Sequence, residues 1–322
     1  MLAIEVRSLS KSFGGRRACW DLSFEVERGE VFGLLGPNGA GKTTTLRMLA
    51  GLYAPDSGSG TVAGLDLRRG GAALRRKVGL LTESPGFYDR LSARENLLFF
   101  AGLYGVSKGD AAARGARLLD RFALAAHADR AFAELSRGMK QKLAIARALI
   151  HEPEVIFLDE PTVGLDPEAT REVRTLIEEL AREQRTLVLC THHLAEVERL
   201  CSRAAFVAGR LIGVHRIEHA QRGRVRIELA APHPAAAARA AELGQVRVDG
   251  RTLLLEPRGE IPEAVAALVA VGARIMAVLP DRDPLEDAYL QLLAEARALG
   301  LAGDEPGSAG ATGSAGTTGA RW

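Results

Sequence analysis

The chain has 322 residues, enough for about two domains with cores of their own. Its 42 Lys and Arg against 40 Asp and Glu leave a formal net charge of +2, with 25% charged and 47% hydrophobic residues. That balance excludes a protein that binds nucleic acid mainly by counterion release, and equally an acidic disordered one. A membrane-spanning helix needs roughly 20 apolar residues in a row, and the longest charge-free stretches of the folded part, such as Asn96 to Ser107, fall well short. No bilayer-crossing helix is therefore expected. The N-terminus sets Glu5 and Arg7 in an alternating pattern, without the basic start and apolar block of a secretory signal, so residence in the cytoplasm is expected. Cys19, Cys190 and Cys201 have no metal-ligand spacing and suit a reducing compartment as core residues.

In chain order, residues 1 to about 220 alternate short β-branched or leucine-rich runs with longer amphipathic segments, the rhythm of an α/β fold with a mainly parallel sheet. Val31 to Leu35, Val78 to Leu81, Val155 to Leu158, Leu187 to Cys190 and Ala204 to Ala208 read as buried strands. A helical insert over about 84–150 opens at Ser92-Ala-Arg-Glu95, a capping box ahead of the apolar Leu97 to Leu103. Residues 221–300 read as a small α+β domain. Its strands lie near Val225 to Leu229, Val246 to Val248, Thr252 to Leu255 and Arg274 to Val278, with helices from Pro262 to Val271 and from about Leu285. Over 301–322, Gly, Ala, Ser and Thr dominate, and such a tail cannot offset its ordering entropy by burial, so it is expected to be flexible.

Gly36-Pro37-Asn38-Gly39-Ala40-Gly41-Lys42-Thr43-Thr44 satisfies G-x-x-x-x-G-K-[ST] between a predicted strand and a predicted helix. Its glycines free the backbone to turn successive N–H groups toward phosphate oxygens, and the following helix adds its positive end. Lys42 would reach the β and γ phosphates, Thr43 would hold Mg²⁺, and Thr44 could donate to an α-phosphate oxygen. Farther along, the strand Val155 to Leu158 runs into Asp159-Glu160. Two carboxylates ending a buried strand are costly unless something positive sits there. In a P-loop nucleotidase Asp159 would orient Mg²⁺ or its water, and Glu160 would polarise the attacking water as general base.

Leu135-Ser136-Arg137-Gly138-Met139-Lys140-Gln141-Lys142, with the helical run that follows, resembles the signature of the ATP-binding subunits of ABC transporters. The resemblance covers nearly all of residues 1–220 and implies a P-loop ABC ATPase core with a helical subdomain. It further implies that the signature segment Ser136, Arg137, Gly138 and Met139 faces a second copy, with Ser136 and Gly138 contacting the γ-phosphate of the ATP held there. Phe13 resembles the aromatic that stacks on adenine. Gly164-Leu-Asp166-Pro167 resembles the loop that contacts the partner subunit, while Asp166 before Pro167 equally reads as a helix N-cap. Thr191-His192-His193-Leu-Ala-Glu196 resembles the switch-histidine segment, which assigns His192 to the γ-phosphate.

This chain departs from the family pattern in two places. Glu83 stands where glutamine is common, and can still ligate Mg²⁺ or its water with a changed local charge. Arg137 and Met139 replace the usual Gly and Gln of the signature, while Ser136 and Gly138, which carry the implied phosphate contact, remain, so the nucleotide sandwich is expected to persist with altered affinity. Pro284-Leu-Glu-Asp-Ala-Tyr289 resembles the C-terminal extension of ABC-2 exporters of drugs and antibiotics, an accessory domain that would stabilise or regulate a homodimer or simply stabilise the fold.

The implied function is an ATPase of the cytoplasmic membrane face, homodimeric, using ATP and Mg²⁺ to power export of a drug, antibiotic or other small hydrophobic compound through a separately encoded permease. No nucleic-acid partner is expected. The alternative is an ABC-type ATPase without a permease, in DNA repair or translation, although a single cassette without long heptads argues against it. A P-loop GTPase or kinase is a weaker rival, because the chain has no N-K-x-D base-reading motif.

Overall fold

The computed structural model describes residues 1–82, 86–217 and 225–280, together with Tyr289 and Ala294. Strands β1 (Leu2–Phe13) and β2 (Arg16–Glu27) form an antiparallel hairpin. Its turn residues Gly14 and Gly15 have φ of 54° and 80°, a left-handed pair that matches the twist of the flanking strands and costs glycine nothing. Strand β3 (Val31–Leu35) leads into helix α1 (Lys42–Leu49). Strands β4 (Ser57–Val62) and β5 (Leu65–Asp66) then complete a four-stranded sheet in the order β2-β1-β4-β5.

Helix α2 (Gly71–Lys77) precedes strand β6 (Val78–Leu81), and the insert that follows carries helices α3 (Ala93–Leu103), α4 (Lys108–Arg121) and α5 (Arg137–Leu149). The capping box forms as expected: Ser92 Oγ accepts from the Glu95 amide at 3.1 Å, and Glu95 Oε2 from the Ser92 amide at 2.8 Å. Strand β7 (Val155–Asp159), helix α6 (Pro167–Arg182), strand β8 (Thr186–Thr191), helix α7 (Leu194–Leu200), strand β9 (Arg203–Ala208) and strand β10 (Arg210–Arg216) follow.

The second sheet runs β10-β9-β3-β8-β7-β6, parallel throughout except for the edge strand β10. Its inner strands are buried on both faces, as parallel strands flanked by other layers must be. Strand alternation divides the core in two. Phe157, Val188, Cys190 and Phe32 pack toward the first sheet and α1, whereas Ile156, Leu158, Leu187 and Leu189 pack toward α5 and α6. The adjacent carboxyl ends of β3, β8 and β7 therefore open onto one crevice, where ligands bind in open α/β sheets. All three cysteines are buried and unpaired in these cores.

Residues 225–280 carry strand β11 (Val225–Leu229), helix α8 (Pro234–Leu243), strands β12 (Gly244–Asp249) and β13 (Thr252–Pro257), helix α9 (Ile261–Ala270) and strand β14 (Ile275–Pro280). The strands form an antiparallel sheet ordered β12-β13-β11-β14. Its own apolar cluster includes Ile227, Leu253, Leu255, Ala240 and Leu268.

Some elements go beyond the sequence expectations. The first sheet is antiparallel and separate from the parallel one, because β1 pairs with β2 in a local hairpin and with the distant β4 on its other side. Helix α8 is also absent from the sequence expectations, although its alanine run starts at Pro234 with His233 Nδ1 capping the Ala236 amide at 3.1 Å. Of the helix expected from about Leu285 only Tyr289 and Ala294 are described, both helical, while the tail and Glu83 lie outside the described residues.

Candidate functional site

The loop from β3 to α1 is shaped by close approach. A Cβ on Gly36 would stand 2.0 Å from the Val207 carbonyl oxygen, and one on Gly41 would stand 2.4 Å from that of Ala18. Gly41 also has φ of 87° and caps α1 without a side chain, which leaves the first-turn amides free for an anion. Lys42 is only 6% exposed. Its Nζ donates to the carbonyls of Gly36 at 2.7 Å and Pro37 at 3.1 Å.

Thr43 Oγ1 donates to Asp159 Oδ1 at 3.1 Å, joining the start of α1 to the end of β7. Asp159 is 3% exposed, and burial pushes its carboxyl above the ordinary range, with the Thr43 hydrogen bond opposing and nearby Glu160 reinforcing the rise. An acid whose pKa is raised by folding favours the folded state fully only below its unfolded value. That advantage is lost as pH climbs from the unfolded value of 3.8 through the raised folded value. Asp159→Asn should consequently raise the melting temperature of the nucleotide-free protein at pH 7. The gain should fade on titration below the ordinary carboxylate range, a trend that thermal melts across pH would check.

Glu160 adopts φ of 47°, a left-handed conformation unusual for a residue with a Cβ, and its amide donates to the Cys190 carbonyl at 2.9 Å. This turn brings its side chain beside two donors. Oε1 accepts from His192 Nδ1 at 2.9 Å and faces Lys42 Nζ at 3.6 Å. The other oxygen, Oε2, is buried and has no hydrogen-bond partner among the described residues. An orphaned carboxylate oxygen beside an anion cradle is chemically suited to a water molecule that must lose a proton.

A cleft of 980 Å³ collects Asn38 to Thr44, Glu160, His192 and Phe13. Phe13 is 45% exposed, with its ring edge-to-face with Tyr53 at 5.3 Å and Lys11 Nζ 5.5 Å from its centre. The remaining expected residues lie elsewhere on the chain. Ser136 caps α5, its Oγ accepting from the Met139 amide at 3.2 Å, and no acidic residue occupies that first turn. Gly138 packs closely on Ala169, where a Cβ would stand 2.8 Å from that side chain, and Met139 packs on the core. The Arg137 guanidinium lies across Gly164, where a Cβ would meet it at 2.1 Å. Asp166 caps α6, accepting from the Ala169 amide at 2.9 Å. None of these five residues lines the cleft within one chain.

The cleft also takes in residues that motif spacing could not identify. Arg16, Arg17, Ala18 and Trp20 arrive on β2, and Gly209 on the β9–β10 turn, where the Trp20 amide donates to the Gly209 carbonyl at 2.8 Å. Gln141 of α5 donates to the Pro161 carbonyl at 2.6 Å and so ties the signature helix to the loop after Glu160. Its place in the signature segment was the only available signal.

Comparison with known proteins gives the family. The family described as ABC transporter matches residues 19–163. The chain is 43% identical to the ABC transporter ATP-binding protein NatA of Bacillus subtilis over 59% of its own length and 78% of the relative's. It is 33% identical to the bacitracin transport ATP-binding protein BcrA of Bacillus licheniformis, over 90% of this chain and 97% of that one. The dimeric structure of a bacterial ABC transporter cassette superposes with a TM-score of 0.61 at 25% identity, covering 67% of this chain and 99% of the cassette. Among the described residues no helix is long and apolar enough to cross a membrane, and cassettes of this kind form dimers and work with membrane permease components. The chain belongs to the ABC transporter family as an ATP-binding and ATP-hydrolysing subunit.

Proposed function

We propose that this subunit forms a head-to-tail homodimer on the cytoplasmic face of the membrane, closes on two ATP molecules, and passes the closure to a separate permease that exports a drug, antibiotic or other small hydrophobic compound. The observation that carries the catalytic reading is the orphaned Glu160 Oε2, buried beside Lys42 and His192 in the cleft that holds the cradle. Lys42 and the loop amides bind and orient the phosphates, Phe13 stacks on the base, and Glu160 takes the proton of the attacking water in line with the γ-phosphate. His192 holds Glu160 in position and supports the γ-phosphate. Thr43 and Asp159 offer the hard oxygen donors that suit Mg²⁺, which when bound would neutralise charge on the phosphates. Glu83 joins them on its sequence position alone.

The exposed pair Ser136 and Arg137, with Gly138 and Met139 behind them, completes the site on the partner copy, and Asp166 lies in the loop between the two. Support for a dimer is the separation just described: a helix end free of acidic residues lies outside its own chain's cleft. Support for a permease is the exposed aromatic group of the helical insert, where Tyr88 and Phe99 meet edge-to-face at 4.9 Å with Leu103 nearby in sequence, 67% exposed. The bacitracin-transport relative supports export of an antibiotic-like compound. Residues 1–220 form the cassette on this reading, and residues 221–300 an accessory domain that stabilises the pair. The purified chain, given MgATP together with Glu160→Gln to slow turnover, should double its mass by light scattering. A strict monomer at saturating nucleotide would remove the in-trans site.

A further inference from the structure

The loop after Glu160 and the turn that bears His192 come from different strands, yet their side chains meet at 2.9 Å. Beneath that pair lies a carboxylate that the chemistry above does not use. Glu196, in the first turn of α7, is 1% exposed. It accepts three hydrogen bonds from three elements. Thr162 Oγ1, two residues past Glu160, donates to Oε1. Arg174 Nη2 of α6 donates to the same oxygen at 3.3 Å, and Thr191 Oγ1, the last residue of β8, donates to Oε2 at 3.0 Å. Thr191 Oγ1 in turn accepts from the His193 amide at 3.0 Å, which fixes the turn on which His192 stands. The Thr162 carbonyl accepts from the Leu165 amide at 3.2 Å, extending the same scaffold toward Asp166.

We infer that Glu196 is a positioning residue for hydrolysis: its buried carboxylate clamps the Glu160 loop to the His192 turn, so that the Glu160–His192 hydrogen bond is set before nucleotide arrives. The inference rests on the reading of Glu160 and His192 given above. A carboxylate sealed from water is unfavourable unless its acceptor sites are filled, and here two hydroxyls and a guanidinium fill them. Only an ionised carboxylate is acceptor at both ends. An amide would turn an NH₂ donor toward one of the hydroxyls. That hydroxyl would have to reverse, and for Thr191 the reversal competes with the His193 amide it already serves. The clamp also reaches α6 through Arg174, so the helix headed by Asp166 is braced to the same point. The geometric demand is tight, because a misplacement of about 1 Å at a reacting group can cost about 10²-fold in rate.

The test compares full-length wild type, Thr162→Val, Thr162→Ser and Glu196→Gln, each also made with Glu160→Gln, by steady-state hydrolysis, nucleotide affinity for a non-hydrolysable ATP analogue, and thermal melting. Thr162→Val keeps the shape of threonine and removes only the donor, which guards against loss of folding in Glu196→Gln. Thr162→Val should lower kcat by about 10- to 100-fold with affinity changed by less than about twofold, and Thr162→Ser should recover most of the loss. Beside Glu160→Gln, Thr162→Val should add almost nothing, because residues acting as one unit are not additive. A folded Thr162→Val protein with kcat within about twofold of wild type, or one whose loss persists in full beside Glu160→Gln, overturns the clamp. Wild-type turnover in Glu160→Gln alone would instead remove the general-base reading beneath it.

Discussion

Glu160→Gln should lower kcat by about 10²- to 10⁴-fold, the usual worth of a general base, while ATP affinity stays close to wild type. The substitution keeps length and planarity, and the amide oxygen can still accept from His192 Nδ1, now at 2.9 Å from Glu160 Oε1. What it removes is the second oxygen, which is buried and has no hydrogen-bond partner among the described residues. An NH₂ group in that position can hold a water molecule but cannot take its proton. Binding should persist because, in the proposed site, Lys42 and the loop amides contact the phosphates, and none of these depends on the lost oxygen. The backbone points the same way. Holding a non-glycine residue at φ of 47° stores about 1–3 kcal/mol. The Cys190 carbonyl and the Gln141 bond to Pro161 sustain that conformation on either side of the residue. Strain of this kind aims the side chain, and glutamine would inherit the aim without the basicity. Steady-state hydrolysis set against equilibrium nucleotide binding checks the split, and turnover within about tenfold of wild type would end the assignment.

The parts of the site legible in the sequence are those that are contiguous along the chain. The cradle could be read because strand, glycines, Lys42 and helix follow one another without interruption, and Asp159-Glu160 because a buried strand ends in charge. The capping box at Ser92 and the cap at Asp166 were legible for the same reason, since each is a local exchange of hydrogen bonds. Asp166 satisfies its local reading within one chain, and its reading as a contact loop concerns a second copy. What stayed hidden depends on pairing across distance. Arg16 and Trp20 reach the cleft only because β2 folds back on β1 and meets the β9–β10 turn. The Glu196 clamp gathers side chains from the ends of β7 and β8 and from α6, and nothing in the spacing of Thr162, Arg174, Thr191 and Glu196 announces that they meet. Arg137 is a mixed case. Its departure from the signature pattern was visible, but its resting place over Gly164 follows from how α5 packs against α6, where Gly138 abuts Ala169.

Lys42→Met should weaken ATP binding by about 10- to 100-fold and reduce hydrolysis at saturating ATP to near background. Hydrogen bonds from a charged donor contribute about 1.5–3 kcal/mol each. The methionine thioether would fill most of the lysine's path without donating. Nζ donates to two carbonyls and lies 3.6 Å from Glu160 Oε1. An incoming phosphate thus exchanges partners with a preformed cation and does not have to recruit a mobile side chain from solvent, which lowers the entropy cost of binding. Removing that cation harms both states. Two carboxylates, Asp159 and Glu160, would then share the crevice with His192 as the remaining nearby donor to Glu160, and Lys42 is among the charges that hold the Asp159 carboxyl down against its burial. Loss of one partner from a buried pair costs more than the pair contributed, so the nucleotide-free protein should also melt at a lower temperature. Lys42→Arg should not restore function, because a planar guanidinium fork cannot follow the path of a single ammonium between the Gly36 and Pro37 carbonyls. Nucleotide titration calorimetry and thermal melting on the two variants separate these contributions. Tight ATP binding by Lys42→Met would show that the cradle binds phosphate through its amides alone, and wild-type turnover by Lys42→Arg would show that a guanidinium can take the ammonium's place.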